Sequence, residues 1–200
     1  MRIKSHWFKP GTPKAPQQTA SAMAFIVWRV AQNMLKQMRS ARFDIDIGPQ
    51  YFAFMREVLV FLIQVVDRMA YARMPEGTRA EFTTALVRRV AEILEDSEND
   101  LLGLPVPGAE SHRAQFIELF NVLSDHYSDF GYGPDGPDFA FVRYLGSRIT
   151  ALMAQKDQNW VLDQIMAIEA PEAVATLQSA MQGVLSTEPR PARHHGVSGD

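Results

Sequence analysis

The side chains that could do chemistry in this chain are few and widely spaced. Its five histidines are His6, His112, His126, His194 and His195, and none follows a glutamate by three residues. The Glu-x-x-His pairs of carboxylate-bridged di-iron sites in helical bundles are therefore missing. The chain has no cysteine, so it can form neither a thiolate metal site nor a cysteine nucleophile. We expect no metal site, no cofactor and no catalytic residue.

One short segment matches a nucleotide-binding signature by letters alone. Residues 131–136 spell GxGxxG, which in dinucleotide-binding domains follows a strand and opens a helix. Here the segment follows a predicted helix, and Pro134 removes one of the backbone amides that would bind phosphate. The GxxxxGK[ST] and GxSxG motifs do not occur. The segment predicts a tight turn between two helices, with Gly131 capping the first.

The most apolar stretch, residues 51–72, contains charged side chains that need partners if the stretch is buried. Asp67 is the sharpest case, because a buried carboxylate must be paired or neutralised. The candidate partners are Arg143 and Arg148, on a helix predicted after Asp138. We predict a structural ion pair at Asp67, and ligand anchoring by the same carboxylate is the alternative. Such a pair can set the register of two helices more than it adds stability.

The N-terminal end combines basic and aromatic side chains. Eight of the 20 basic residues lie in residues 1–43, which contain no carboxylate and so carry +8. The other 12 basic residues and all 23 acidic ones give residues 44–200 a charge of −11. An anionic partner surface, or the acidic helices of the protein itself, could attract this end. The candidate contact residues are Lys4, Trp7, Phe8, Lys9 and Lys14.

Overall charge and hydropathy exclude several classes of protein. The formal charge of −3 and pI near 6.0 do not suit a generally basic nucleic-acid-binding protein, so nucleic acid is not an expected partner. Four charged residues interrupt residues 51–72, which argues against a transmembrane segment. Arg29 interrupts residues 22–31, which argues against a secretory signal and leaves an organellar transit peptide as the alternative. We expect a cytoplasmic protein.

Apolar residues recur with the helical period along most of the chain. They predict helices at about 18–40, 49–74, 111–130 and 159–168, others after Thr78 and Asp138, and a last helix from Pro171. Thr78 and Glu81 have the spacing of a capping box. The acidic residues of 92–100 are expected to solvate the end of that third helix. No stretch alternates long enough to predict a strand.

These elements predict an all-α, single-domain bundle of six or seven helices around the long apolar second helix. Residues 1–17 are expected to form an extended basic arm, and residues 186–200 a disordered tail. The bundle would span residues 18–185, and the proline- and glycine-rich residues 101–109 are a candidate subdomain joint. Ten methionines predict ordinary core packing, or an adaptable ligand surface as the alternative.

This composition favours a non-catalytic helical interaction protein, an adaptor or regulator, that forms a homodimer. Its expected partners are a protein or a second copy of itself, and the N-terminal arm could contact an anionic surface. The alternative function is binding of an apolar small molecule in a core rich in Met and Phe.

Overall fold

Helices occupy most of residues 15–185, the part of the chain that the computed structural model describes. The prediction of an all-α domain is confirmed. A π-helical turn, Ile165–Glu169, joins the last two helices into one continuous run. The helices are α1 (Pro16–Ser40), α2 (Pro49–Tyr71), α3 (Glu76–Leu102), α4 (His112–Ser128), α5 (Phe139–Leu152), α6 (Gln158–Gln164) and α7 (Ala170–Leu185).

The central helix is α2, as predicted, although it ends at Tyr71 rather than at residue 74. Every residue from 58 to 66 is buried, and α1, α3, α4, α5 and α7 all pack against α2. This burial explains the continuous apolar run, because a helix covered on all sides has no polar face. Within residues 15–185, no helix combines the length and the hydropathy that crossing a membrane requires.

The first helix begins at Pro16, two residues earlier than predicted, and Pro is well suited to a first helical position. The predicted arm, residues 1–17, otherwise lies outside the described residues, and so does the predicted tail.

Core packing by methionine is confirmed for the first two helices. Their buried methionines are Met23, Met34, Met38, Met55 and Met69, with Met74 partly buried beside them.

The capping box predicted at Thr78 is wrong, because α3 begins two residues earlier, at Glu76. Pro75 precedes it with φ −57° and ψ 148°, the extended conformation of a residue just before a helix. Thr78 therefore lies inside the first turn of the helix. At its other end α3 extends to Leu102 and takes the first two residues of the predicted joint, before Gly103 at φ 87°.

The turn predicted at residues 131–136 is a small hairpin, in which Tyr132–Gly133 pairs antiparallel with Gly136–Pro137. Gly136 has φ 119°, which favours glycine. Gly131 does not cap α4, which ends at Ser128 with Asp129 as its C-cap. Its N–H instead donates to Asp138 Oδ2 (2.8 Å), while Oδ1 of the same side chain accepts from the Phe141 N–H (2.8 Å) and caps α5. Asp138 therefore fixes both the hairpin and the start of α5.

Candidate functional site

Asp67 is buried, as predicted, but its partner is Arg79 rather than Arg143 or Arg148. Arg79 Nε and Nη2 donate to the two carboxylate oxygens at 3.0 and 2.6 Å, and the Thr83 hydroxyl donates at 2.6 Å. The predicted pairing is wrong because α3 returns antiparallel beside α2 and places its first turns against Asp67. Arg143 is exposed on α5. Asp67 therefore joins α2 to α3 and has its hydrogen-bonding capacity used within the fold.

Arg148 does form an ion pair with α2, at a carboxylate that the sequence did not single out. Its Nε donates to Glu57 Oε2 at 3.0 Å, and its Nη2 bonds the other oxygen. This hydrogen bond to Glu57 raises the pKa of Arg148, so the guanidinium stays charged. The signal was present in the sequence, since Glu57 also interrupts the apolar second helix. Arg148 thus joins α5 to α2 and is a structural residue.

A third charged cluster joins the start of α2 to the end of α3. Glu98 is completely buried, and Arg56 Nε and Nη2 each donate to one of its oxygens at 2.9 Å. His112 Nδ1 lies 3.1 Å from Glu98 Oε2. The expectation that residues 92–100 solvate the helix end is therefore wrong for Glu98. Its helical position faces α2, and the other acidic residues of that run remain partly or fully exposed.

Aromatic rings from α2, α4, α5 and the hairpin pack together in a largely buried group. Tyr127 lies at its centre, with ring centroids 4.7 Å from Phe141 and 5.1 Å from Tyr144. The Tyr144 hydroxyl is hydrogen-bonded to His126 Nδ1 at 2.6 Å, and burial raises the pKa of both Tyr127 and Tyr144. Both phenols therefore stay protonated at neutral pH. Tyr127 packs against the neighbouring rings, and Tyr144 adds the hydrogen bond to His126.

A groove of about 340 Å³ lies between α1 and α7 and is the strongest candidate for a ligand site in the described residues. This volume falls at the lower end of the range for small-molecule pockets. Its walls combine an apolar stripe with polar groups, as such pockets do. The apolar side chains are Ile26, Val30, Met34 and Ala173. The polar ones are Arg29, Asn33, Gln37, Glu169, Glu172 and Thr176.

Glu169 is the unusual residue of this groove. It is only 1% exposed, and its Oε1 accepts a hydrogen bond from Gln164 Nε2 at 2.9 Å. Its Oε2 has no hydrogen-bond partner in the described residues. Leaving such a group unsatisfied costs about 1–3 kcal/mol, so it calls for an explanation. Burial, more than the nearby charge of Glu172, raises the pKa of Glu169.

Glu169 lies four residues after Ile165 and eight after Val161, both buried, and so continues the inner face of the helix. A π turn inserts one extra residue into the helix and shifts the side chains that follow, and such turns are frequent at functional sites. Glu169 is the last residue of the turn, which directly precedes α7. Sequence reasoning missed this residue because it ended one helix at about residue 168 and began the last at Pro171, which left Glu169 between the two.

A different feature lies at the end of α3, where four large apolar side chains are exposed to solvent. Leu101, Leu102, Leu104 and Val106 are 53%, 41%, 79% and 72% exposed. Single exposed apolar residues are normal, whereas four within six residues are unusual and make this segment a candidate contact surface. We call Leu101–Val106 the apolar segment. It coincides with most of the proline- and glycine-rich stretch that the sequence offered as a subdomain joint.

The other predicted site residues and sites are not placed by the structure. Lys4, Trp7, Phe8, Lys9 and Lys14 lie outside the described residues. Among residues 15–185, no group of three or more His, Asp or Glu side chains is arranged to hold a metal ion.

No protein-family model, curated protein or solved structure matches this chain. Fold and local geometry are therefore the basis for any functional proposal.

Proposed function

We propose that this protein is a non-catalytic helical interaction protein that forms a homodimer, in which the basic aromatic residues 1–14 of one copy bind the apolar segment of the other. The observation that carries the proposal is the exposure of Leu101, Leu102, Leu104 and Val106. Burying such side chains against a partner removes apolar surface from water, which is the main driving force of association.

Charge supports a basic occupant for this surface. Asp96, Asp100 and Glu110 flank the apolar segment in sequence and are all exposed. Residues 1–14 carry four basic residues and no acidic one, and they include the adjacent aromatic pair Trp7 and Phe8. An arm with rings and positive charges matches an apolar surface edged by carboxylates, and such complementarity gives specificity and faster association.

The direction of the helices supports a second copy rather than the same chain. The short connection 41–48 places the end of α1 beside the start of α2, and Arg56 places the end of α3 there too. The chain therefore enters α1 at the opposite end of the bundle from the apolar segment. Its 25 residues span about 37 Å.

Trp7 and Phe8 lie too few residues before α1 to bridge this distance. From Ala15, a fully extended chain would carry Phe8 only about 25 Å. Trp7 and Phe8 can thus reach the apolar segment of a neighbouring copy more easily than that of their own. A reciprocal exchange between two copies closes the assembly, as expected for a symmetric dimer.

The alternative, an apolar ligand in the core, has less support. Met23, Met55, Phe54 and Phe61 are each 0% exposed and pack within one buried cluster. A ligand would have to displace close-packed side chains, which is unfavourable in a dense interior. The cytoplasm is the compartment we propose for the dimer, as the sequence led us to expect.

The experiment is a mass measurement by sedimentation on the full chain across a range of protein and salt concentrations. We expect twice the chain mass at low salt and a shift toward one chain as salt screens the arm. Leu104→Ser with Val106→Ser should abolish the dimer, and so should Lys4→Gln, Lys9→Gln and Lys14→Gln together. The controls are Ile47→Ser, which changes another exposed apolar residue, and Arg190→Gln with Arg193→Gln.

A mixing experiment tests the exchange itself. An arm variant and an apolar-segment variant, each unable to dimerise alone, retain between them one intact arm and one intact surface. Their equimolar mixture should therefore recover part of the dimer. A single-chain mass at every concentration, or a dimer that neither variant weakens, would overturn the proposal.

A further inference from the structure

The groove between α1 and α7 offers two kinds of interaction to a small molecule. Ile26, Val30 and Met34 of α1 face Ala173 of α7 across it and form its apolar stripe. Glu169 also lines it, almost fully buried and with one carboxylate oxygen unpartnered within the described residues. An apolar wall beside an unsatisfied acceptor is the arrangement of a binding site with a defined polar anchor.

We propose that this groove binds a small amphiphilic amine, a molecule with an apolar body and a primary ammonium group. The ammonium donates to Glu169 Oε2, the atom that lacks a donor in the fold, and the body lies along Ile26, Val30 and Met34. An ammonium carries three donors and a full positive charge, so it satisfies the carboxylate and neutralises it at once. This inference is independent of the proposed dimer, whose surfaces lie elsewhere on the chain.

The hydrogen bonds around the groove leave one carboxylate oxygen of Glu169 without a donor. Glu172 lies one turn further along the helix, and its Oε2 already accepts from Gln37 Nε2 at 2.8 Å. Gln37 is held in turn by Asn33, whose Nδ2 donates to Gln37 Oε1 at 3.2 Å. These three side chains therefore tie α1 to α7 across the groove. Glu169 keeps its free oxygen beside a second negative charge.

The charges of the groove favour an organic cation over other ligands. Glu169 and Glu172 lie three residues apart, and the charge of Glu172 helps to raise the pKa of Glu169. An added cation relieves both the repulsion and the burial cost, whereas an anion would add to them. A divalent metal ion is less well suited, because no third carboxylate or imidazole completes a ligand set in residues 15–185.

Arg29 is the cation already present at the groove, and it leaves Glu169 unneutralised. Its side chain is exposed and forms no ion pair with the carboxylates of residues 15–185. Arg29 therefore does not fill the position beside Glu169, and an ammonium group that binds there must part α1 and α7 slightly to reach the buried Oε2.

The test is calorimetric titration of the full chain with 2-phenylethylamine, compared with 2-phenylethanol. The two probes share an aromatic body, and only the amine is charged at pH 7. We expect saturable binding of the amine and at least tenfold weaker binding of the alcohol. Glu169→Gln keeps the side-chain shape, removes the charge, and should weaken amine binding at least tenfold. Glu118→Gln, an exposed carboxylate on α4, is the matched control and should leave it unchanged.

A second pair of variants tests the groove without touching Glu169. Asn33 lies on its rim and is exposed, so Asn33→Trp should block entry and abolish amine binding. Gln32→Trp adds the same ring at the preceding exposed position, about 100° away around α1, and should leave binding intact. The absence of saturable amine binding, equal binding of amine and alcohol, or unchanged binding by both Glu169→Gln and Asn33→Trp would each overturn the proposal.

Discussion

Arg56 binds Glu98 through two parallel hydrogen bonds, each 2.9 Å long, and so joins the first turns of α2 to the last turns of α3. Glu98 is completely buried, whereas the Arg56 side chain keeps 22% of its surface exposed. A planar guanidinium suits this two-point geometry, and the pairing fixes the register of two antiparallel helices. The pair holds the end of α3 from which the apolar segment projects.

We expect Glu98→Ala to destabilise the fold. Removing one partner of a buried pair costs about 3–5 kcal/mol, and the residual exposure of Arg56 lowers this to about 2–4 kcal/mol. Glu92→Ala is the control, because Glu92 pairs with Arg89 near the surface and such pairs contribute about 0–1 kcal/mol. Urea unfolding curves measure both values. Equal costs for the two variants would contradict a special role for the buried pair.

Asp67→Asn should lower the free energy of unfolding more than any substitution of Arg143. The substitution removes the negative charge and replaces one of the two oxygens that accept from Arg79 with an NH₂ group, which can only donate. Arg143 is exposed, so Arg143→Gln should change the free energy of unfolding by less than about 0.5 kcal/mol. Arg79→Gln should cost about as much as Asp67→Asn. If Arg143→Gln lowered the free energy of unfolding more than Asp67→Asn, the result would support the pairing expected from the sequence instead.

Leu123→Ala tests the inner face of α4. Leu123 is 2% exposed, and its truncation should cost about 2–5 kcal/mol through lost burial and the cavity that remains. Its neighbour Val122 is 46% exposed, so Val122→Ala is a control that should cost less than about 1 kcal/mol. Thermal or urea unfolding of both variants gives the comparison. A loss under half a kcal/mol at Leu123 is incompatible with a buried face.

Glu169 should make stability depend on pH. Burial raises its pKa in the fold above the value of about 4.3 in an unfolded chain, so folding favours the protonated carboxyl. This contribution is fully present below about pH 4.3 and is lost as the pH rises through the raised pKa. The melting temperature of Glu169→Gln, relative to that of the parent, should therefore increase between pH 4.5 and 7.5. Gln164, which donates to Glu169, and the nearby Glu172 are unchanged in this comparison.

Glu118→Gln serves as the control for that pH series, since Glu118 is exposed on α4. Its melting temperature should follow that of the parent at every pH. A Glu169→Gln difference that stays constant between pH 4.5 and 7.5 would show that burial does not perturb this carboxyl.

Helices could be located from the sequence because they depend on neighbours in the chain. The stripe from Met23 to Met38 repeats with the helical period, and the start of α5 follows from Asp138, whose side chain binds an amide three residues later. The apolar run of α2 identified the central helix for the same reason. Helix ends were predicted less exactly. After Pro75 the helix could begin at any of several residues, and it begins at Glu76 rather than after Thr78.

Partners across the fold depended on the tertiary structure. Asp67 had several arginines available to it, and only the antiparallel return of α3 selects Arg79 over Arg148. Glu98 belongs to an acidic run that looks solvent-facing, yet the rotation of α3 against α2 buries it. Glu169 lies on the inner face of one continuous helical run, in which the π turn joins two helices that the sequence predicted as separate. Hydrophobic periodicity is a local property of the chain, whereas the choice among equally suitable charged partners is made by the packing of whole helices.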